Sequence, residues 1–350
     1  MATEREKGSI MTVTFDQMRN NEKIYFQGRI LWKDRMAILG YTNCSFTVHF
    51  RGTRLSAVLR TGENDPINAP AIRVYVDDKP VQDIVLGNVV EEVSLFASEE
   101  PEEHTIRVVK FTEAGMSFVG LTVLNGEGEL LPVAPDTRKK VLFIGDSITC
   151  GYGVLGAPDA EYTLRDEDGE LSYAGILAKR MNWNAEWVSV SGHGMFVEYT
   201  GDPENILPRE FPYTNWFYDK EVREDYSRFQ PDLVIINLGT NDQGPMAEDP
   251  LIRGGFLSRY ESFLYTLRRA YPKAKILCVL GTLAPGMYSH VEKVVEKVTG
   301  DGLKDVYGLE LPFHDVEHDG MASGHPSKIT HEKDAKRIEA FLSDAHLLDT

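Results

Sequence analysis

Near residue 130 the hydrophobic pattern changes its period, and no other feature limits the fold as much. From about residue 23 to 125, runs of strand length follow one another with turns between them: KIYFQGRILW, CSFTVHF, RLSAVLRT, AIRVYVDD, EVSLFAS, HTIRVVKFT and SFVGLTVLN. Alternation is clear in Ile72-Val74-Val76 and in Ile106-Val108, which sets apolar side chains on one face. Many strands without a helical stretch predict a β-sandwich, of jelly-roll type, over residues 1–130. The segment NGEGELLPVAPDTRKK, rich in Gly, Pro and charge, reads as the linker. Beyond it, apolar strands (VLFIG, AEWVSVSG, LVIINLG, KILCVLG and a weaker DVYGLEL) alternate with helical stretches, YAGILAKRM, FLSRYESFLYTLRRAY and HVEKVVEKV. Phe256, Tyr260, Phe263, Leu264, Leu267 and Tyr271 recur at helical spacing and give one buried face. A last helix over SKITHEKDAKRIEAFL is expected to start at Ser327. The fold class is therefore α/β, with a parallel sheet covered by helices on both faces over residues 140–350.

A chain of 350 residues fits two domains, and its 42% apolar content suffices for packed cores. No run has the apolar length of a membrane span. The opening MATEREKGSI lacks the apolar h-region of a secretory signal, so a cytoplasmic location is expected. A net charge of −17 disfavours nucleic acid and anionic membrane surfaces and suits a neutral substrate. Cys44 and Cys278 lie in apolar strands and read as packing residues; Cys150 is a candidate to line a site rather than a nucleophile. His314 and His318 have i, i+4 spacing beside Asp315 and Glu317, but no third ligand is placed, and no metal is expected. There is no phosphate loop or dinucleotide fingerprint, so no cofactor is expected either.

The chemistry starts at VLFIGDSITCGYGV, where an apolar strand empties into Gly145-Asp146-Ser147. Ligands of α/β sheets bind outside the carboxyl ends of the strands. Ser147 is read there as a nucleophile or, with Asp146, as a helix cap. A nucleophile needs a base for its proton and donors for the oxyanion, each from another strand end. The second strand ends in SVSGHG, where Gly192 can offer a bare N–H or serve as a plain turn glycine. The third ends in NLGTND, where the Asn241 side chain can donate or belong to an ordinary Asn-Asp turn. The last loop, HDGMASGHPSKIT, carries His325 just before Pro326 and the final helix. Asp146 and Asp242 are expected to brace these loops through backbone hydrogen bonds.

Taken as a set, Gly-Asp-Ser, Gly192, Asn241 and His325-Pro326 resemble the SGNH, or GDSL, hydrolase superfamily over about residues 140–346. The resemblance implies a flavodoxin-like, three-layer catalytic domain and explains the missing G-x-S-x-G elbow. With YFQGRILW, FRGTRL and VVKFTEA ahead of GDSITCGYG, nearly the whole chain looks like the two-domain family 2 carbohydrate esterases. That family implies removal of acetyl groups from hemicellulose sugars (manno- or xylo-oligosaccharides), often at the 6-hydroxyl of hexoses. It further implies Ser147 as nucleophile, His325 as base and an oxyanion hole from the N–H groups of Ser147 and Gly192 and the Asn241 amide.

Many superfamily members carry an Asp three residues before the His; here that position is Ala322. Family 2 esterases work with a Ser-His dyad and a backbone carbonyl in place of the acid. A carbonyl near Ser323 is therefore expected to orient His325, with Asp319 or Asp315 as the alternatives. A sugar platform is expected in the insert at 193–232, from Trp216 above all and from Tyr213, unless these rings form a satellite core with Phe217 and Tyr218. The loops 155–170 and 283–289 are candidates for the cleft walls. Two other readings share these residues: a lipid-type esterase or thioesterase, and a carbohydrate-binding protein with an inactive hydrolase domain.

Overall fold

The computed structural model describes residues 9–347, apart from 63, 64, 66 and 160. The first eight residues, read above for a leader, lie outside the described residues.

The N-terminal half is a β-sandwich built on a nine-stranded antiparallel network. Its strands are longer than the sequence runs suggest. CSFTVHF and RLSAVLRT are one strand, Cys44–Arg60, and EVSLFAS and HTIRVVKFT are another, Val90–Lys110. The polar stretch between each pair of runs breaks the apolar alternation and so reads as a turn. In the structure the strand passes through it, with register shifts at Gly52/Arg54 and Leu55/Ser56. Such bulges bend a strand without ending it. Inward residues on both sides of the bend, such as Phe46, Val48, Phe50, Leu55, Ala57 and Leu59, share one core. The run KIYFQGRILW shows the reverse, dividing into Ile24–Gln27 and Ile30–Lys33.

The C-terminal half holds five parallel strands: β1 (Lys140–Gly145), β2 (Asn184–Ser189), β3 (Leu233–Asn237), β4 (Lys275–Leu280) and β5 (Val306–Glu310). Their order is β2-β1-β3-β4-β5, a doubly wound arrangement. Alternate residues serve opposite faces. Val141, Phe143, Leu233, Ile235, Leu277 and Val279 pack under α2 (Tyr173–Arg180) and α5 (Lys328–Asp344). Leu142, Ile144, Val234, Ile236, Ile276 and Cys278 pack under α3 (Pro250–Ala270) and α4 (Tyr288–Gly300). The helical stripe read from Phe256 to Tyr271 is buried throughout, and Ser327 caps α5.

The apolar cluster on the α3 and α4 side continues without a break into the core of the sandwich. Polar ties cross the same junction. Arg29 Nη1 donates to the carbonyls of Phe211 and Tyr213 at 2.6 and 2.9 Å, and Arg73 pairs with Asp168 and Glu170, each at 2.9 Å. Arg29 is 1% exposed, so its charge is held by carbonyls rather than water. Among the described residues, no helix is long and apolar enough to cross a membrane.

Candidate active site

Strand β1 ends at Gly145, and Ser147 opens a one-turn helix, α1 (Ser147–Cys150). The Asp146 side chain accepts from the Ile148 N–H at 3.1 Å and so fixes the chain at Ser147. Asp146 is buried, and desolvation pushes its carboxyl up to about 7. Ser147 itself is only 5% exposed.

His325 arrives from the other end of the half. Met321–Ala322 pairs antiparallel with His325–Pro326, leaving Ser323 and Gly324 as a two-residue turn. Both turn residues have positive φ, +46° and +71°. That is the requirement of a type I′ hairpin, which glycine meets readily and serine does not. The turn brings the Ser323 carbonyl back to within 3.2 Å of His325 Nδ1, while Nε2 lies 2.9 Å from Ser147 Oγ. With Nδ1–H donating to the carbonyl, Nε2 is the acceptor and the Ser147 hydroxyl donates to it. Burial holds the His325 imidazole below its ordinary pKa, against a smaller opposing effect of the Ser323 carbonyl. Asp319 is engaged by Lys333 and Asp315 by His318, so the carbonyl, not either carboxylate, meets the ring.

The hairpin tip rests on the loop that follows Ser147. A Cβ on Gly153 would stand 2.8 Å from Ser323 Cβ and 2.9 Å from the Ala322 carbonyl, and the Ser323 N–H donates to the Ala157 carbonyl at 3.1 Å. The Gly-rich run after Ser147 is thus the seat of the His325 hairpin.

On the other flank, Asn241 Nδ2 donates to the His193 carbonyl at 3.0 Å, which orients its amide and leaves a second N–H. Asp242 accepts from the N–H groups of Met195, Phe196 and Val197 at 2.8, 2.8 and 3.0 Å, bracing the loop beyond Gly192. Gly192 has φ +80°, and a Cβ there would lie 3.2 Å from the Tyr199 ring. His193 Nδ1 lies 2.7 Å from buried Glu210, and its ring faces Phe217.

The two sugar-contact candidates lie with each other: Tyr213 meets Trp216 edge-on at 4.9 Å, under Arg223 and Lys220 respectively. Three rings that the sequence did not single out stand against the site. Tyr152 leans on His325 at 4.4 Å, Tyr162 stacks on Tyr152 at 3.6 Å, and Tyr199 stands 66% exposed beside Gly192. Tyr152 and Tyr162 fall inside GYG and the 155–170 loop, so their segments were legible although their roles were not. Cys150 lies behind the site, fully buried. Among the described residues, no group of three or more His, Cys, Asp or Glu side chains is arranged to hold a metal.

Residues 143–322 match the GDSL-like Lipase/Acylhydrolase family, and residues 26–134 match the Carbohydrate esterase 2 N-terminal family. The structure of a family two carbohydrate esterase from Clostridium thermocellum in complex with cellohexaose is 30% identical, covering 93% of this chain and all of that one, with a TM-score of 0.83. The chain belongs to the family 2 carbohydrate esterases. Another family two carbohydrate esterase, from Cellvibrio japonicus, shares the fold at 23% identity and a TM-score of 0.86, covering 98% of this chain and 100% of that one. Among curated relatives, the cellulase/esterase CelE of Acetivibrio thermocellus is 30% identical over 93% of this chain, which spans 40% of that protein's length. An acetylxylan esterase / glucomannan deacetylase of Cellvibrio japonicus is 24% identical, covering 95% of this chain and 92% of that protein. In this family 2 esterase the Ser147, Asn241 and His325 side chains and Gly192 come from four separate chain segments.

Proposed function

We propose that this chain is a serine esterase that removes O-acetyl groups from hemicellulose-derived sugars, acetylated manno- or xylo-oligosaccharides, favouring the 6-hydroxyl of hexoses. The observation that carries the reading is the relay from the Ser323 carbonyl through His325 to the Ser147 hydroxyl. The acetylxylan esterase and glucomannan deacetylase names of the relatives support the substrate class, and the family resemblance supports the 6-hydroxyl.

Ser147 Oγ attacks the acetyl carbonyl carbon while its proton passes to His325 Nε2. The carbonyl π pair moves onto oxygen, and the N–H groups of Ser147 and Gly192 and the second N–H of Asn241 receive it. As the tetrahedral intermediate collapses, the bond to the sugar oxygen breaks and His325 returns the proton to that oxygen. Water, deprotonated by the same Nε2, attacks the acetyl-enzyme; acetate leaves and Ser147 recovers its proton. A carbonyl dipole stabilises imidazolium less than a carboxylate does, by about a few kcal/mol in a dry site. An ester, with its better leaving group, tolerates that deficit where an amide would not. The sugar is assigned first to Tyr199, the exposed ring beside Gly192, with Trp216 and Tyr213 further along the insert. The sandwich over 1–130 and the hydrolase half over 140–350 are proposed as the two domains of this enzyme.

NMR of acetylated manno- and xylo-oligosaccharides incubated with the protein reads substrate and position together. Acetate release from sugar hydroxyls, lost in Ser147→Ala, is the expected result. Release only from long-chain acyl esters would move the assignment to a lipid-type esterase, and no turnover of any ester would leave a binding protein.

A further inference from the structure

Behind the site lies a group of buried ionisable side chains that the acyl transfer does not use. Glu113 belongs to the sandwich, in the turn between the strands Val90–Lys110 and Val119–Leu131, and is 1% exposed. Glu167 belongs to the hydrolase half and is fully buried. The turn that carries Glu113 is fixed at its backbone. Lys110 Nζ donates to the carbonyls of Gly40 and Glu113, each at 2.8 Å, and to that of Thr112. The Thr42 hydroxyl and the Gly169 N–H both donate to the Phe111 carbonyl at 2.9 Å.

From this fixed turn Glu113 reaches across the junction. Its Oε2 accepts the Ser191 N–H at 2.8 Å, and Ser191 immediately precedes Gly192. The Cys150 thiol, at the end of the nucleophile's helix, lies 3.8 Å from the same oxygen. Glu167 Oε2 accepts from the Tyr162 hydroxyl at 2.8 Å, and Tyr162 backs Tyr152 against His325. Glu113 Oε1 and Glu167 Oε1 are both buried without a hydrogen-bond partner among the described residues. Burial, and next the neighbouring Glu113, push the Glu167 carboxyl well above the ordinary range. The bond from Ser191 holds one oxygen of Glu113 inside the junction, where a buried carboxylate with no partner at all would be costly.

We infer that Glu113 is a positioning residue, holding the Ser191–Gly192 peptide so that the Gly192 N–H faces the oxyanion; the sandwich thereby completes the active site. The inference rests on the esterase reading for its catalytic consequence, but the geometry of the loop is testable without it.

Glu113→Ala, Glu113→Gln and Glu113→Asp are compared with wild type by steady-state kinetics on a small acetate ester and by amide hydrogen exchange. In Glu113→Ala, kcat is expected to fall about 10- to 100-fold with KM within about two-fold, as for a misplaced donor. Exchange at residues 191–193 should accelerate while the rest of the sheet keeps its protection. Glu113→Gln should restore both, because its amide oxygen still accepts the Ser191 N–H. If Glu113→Ala does not fold, Glu113→Asp decides, since the shortened side chain withdraws from Ser191 and should give the same kcat loss and local exchange. Unchanged exchange at 191–193 in the variants, or Glu113→Gln as damaged as Glu113→Ala, overturns the inference. A wild-type protein that releases no acetate sinks the esterase reading instead, and the exchange result still decides whether Glu113 holds the loop.

Discussion

Ser147 leaves a strand whose last five residues are buried and enters a helix capped by Asp146, so the packed sheet fixes it. His325 stands on a hairpin with arms of two residues, and its ring is aimed by a carbonyl of its own turn. Ser147 is thus located by long-range packing and His325 by local backbone conformation. In this arrangement a main-chain carbonyl, not a carboxylate, meets the ring, and the tip of the hairpin is seated against Gly153. The two sides should consequently fail differently when altered.

The largest expected effect is at the packed side. Ser147→Ala should lower kcat by roughly four to six orders of magnitude, read as acetate release, with the thermal midpoint almost unmoved. Next is the donor opposite: Asn241→Ala should lower kcat by about 10²–10³-fold, about 2.7–4 kcal/mol, with little change in KM. The base side should be vulnerable through its seat. Gly153→Ala places a Cβ 2.8 Å from Ser323 at a φ of +70°, so the hairpin must lift. A kcat loss of about 10- to 100-fold is expected, since small displacements at a reacting pair are expensive. Equal losses in kcat and stability after mild heating would instead mean that Gly153 serves the fold alone.

Smaller effects sharpen the contrast. Asp315→Asn, Asp319→Asn and Ser323→Ala should each keep kcat within about three-fold, because a main-chain carbonyl survives all of them. A collapse in Asp319→Asn would break the claim that turn geometry alone orients the ring. The pH profile gives the finest reading. Burial lowers the His325 pKa; with the neutral ring as the proposed base, activity should be present above that pKa and lost as pH falls through it. The acid limb of kcat/KM should have its midpoint below the ordinary imidazole value of about 6.5.

Legibility followed the same division. The packed side could be read in the chain because a buried strand ending in Gly-Asp-Ser leaves a periodic signal, and because Gly192 and Asn241 recur at later strand ends. The region of Ser323 was legible from the missing acid at Ala322, but its left-handed φ was not, since serine gives no sign of it. The bends of the long sandwich strands were hidden because polar residues at a bulge look like a turn. Glu113 was invisible as a functional residue. Its partner Ser191 lies 78 positions away, and a lone Glu in a turn looks solvated until the two halves are brought together. Tyr152 and Tyr162 were hidden for the same reason: their stacking is a property of the folded loop.

The central claim is that a hydroxyl aimed by a carbonyl-held imidazole attacks the acetyl carbon. Rapid quench of the protein with an acetate ester, followed by peptide mapping by mass spectrometry, tests it most directly. The expected result is one acetyl group on Ser147 in wild type and none in His325→Ala over the same interval. Acetate release with no acetyl group ever found on Ser147, or equal labelling in His325→Ala, would contradict it.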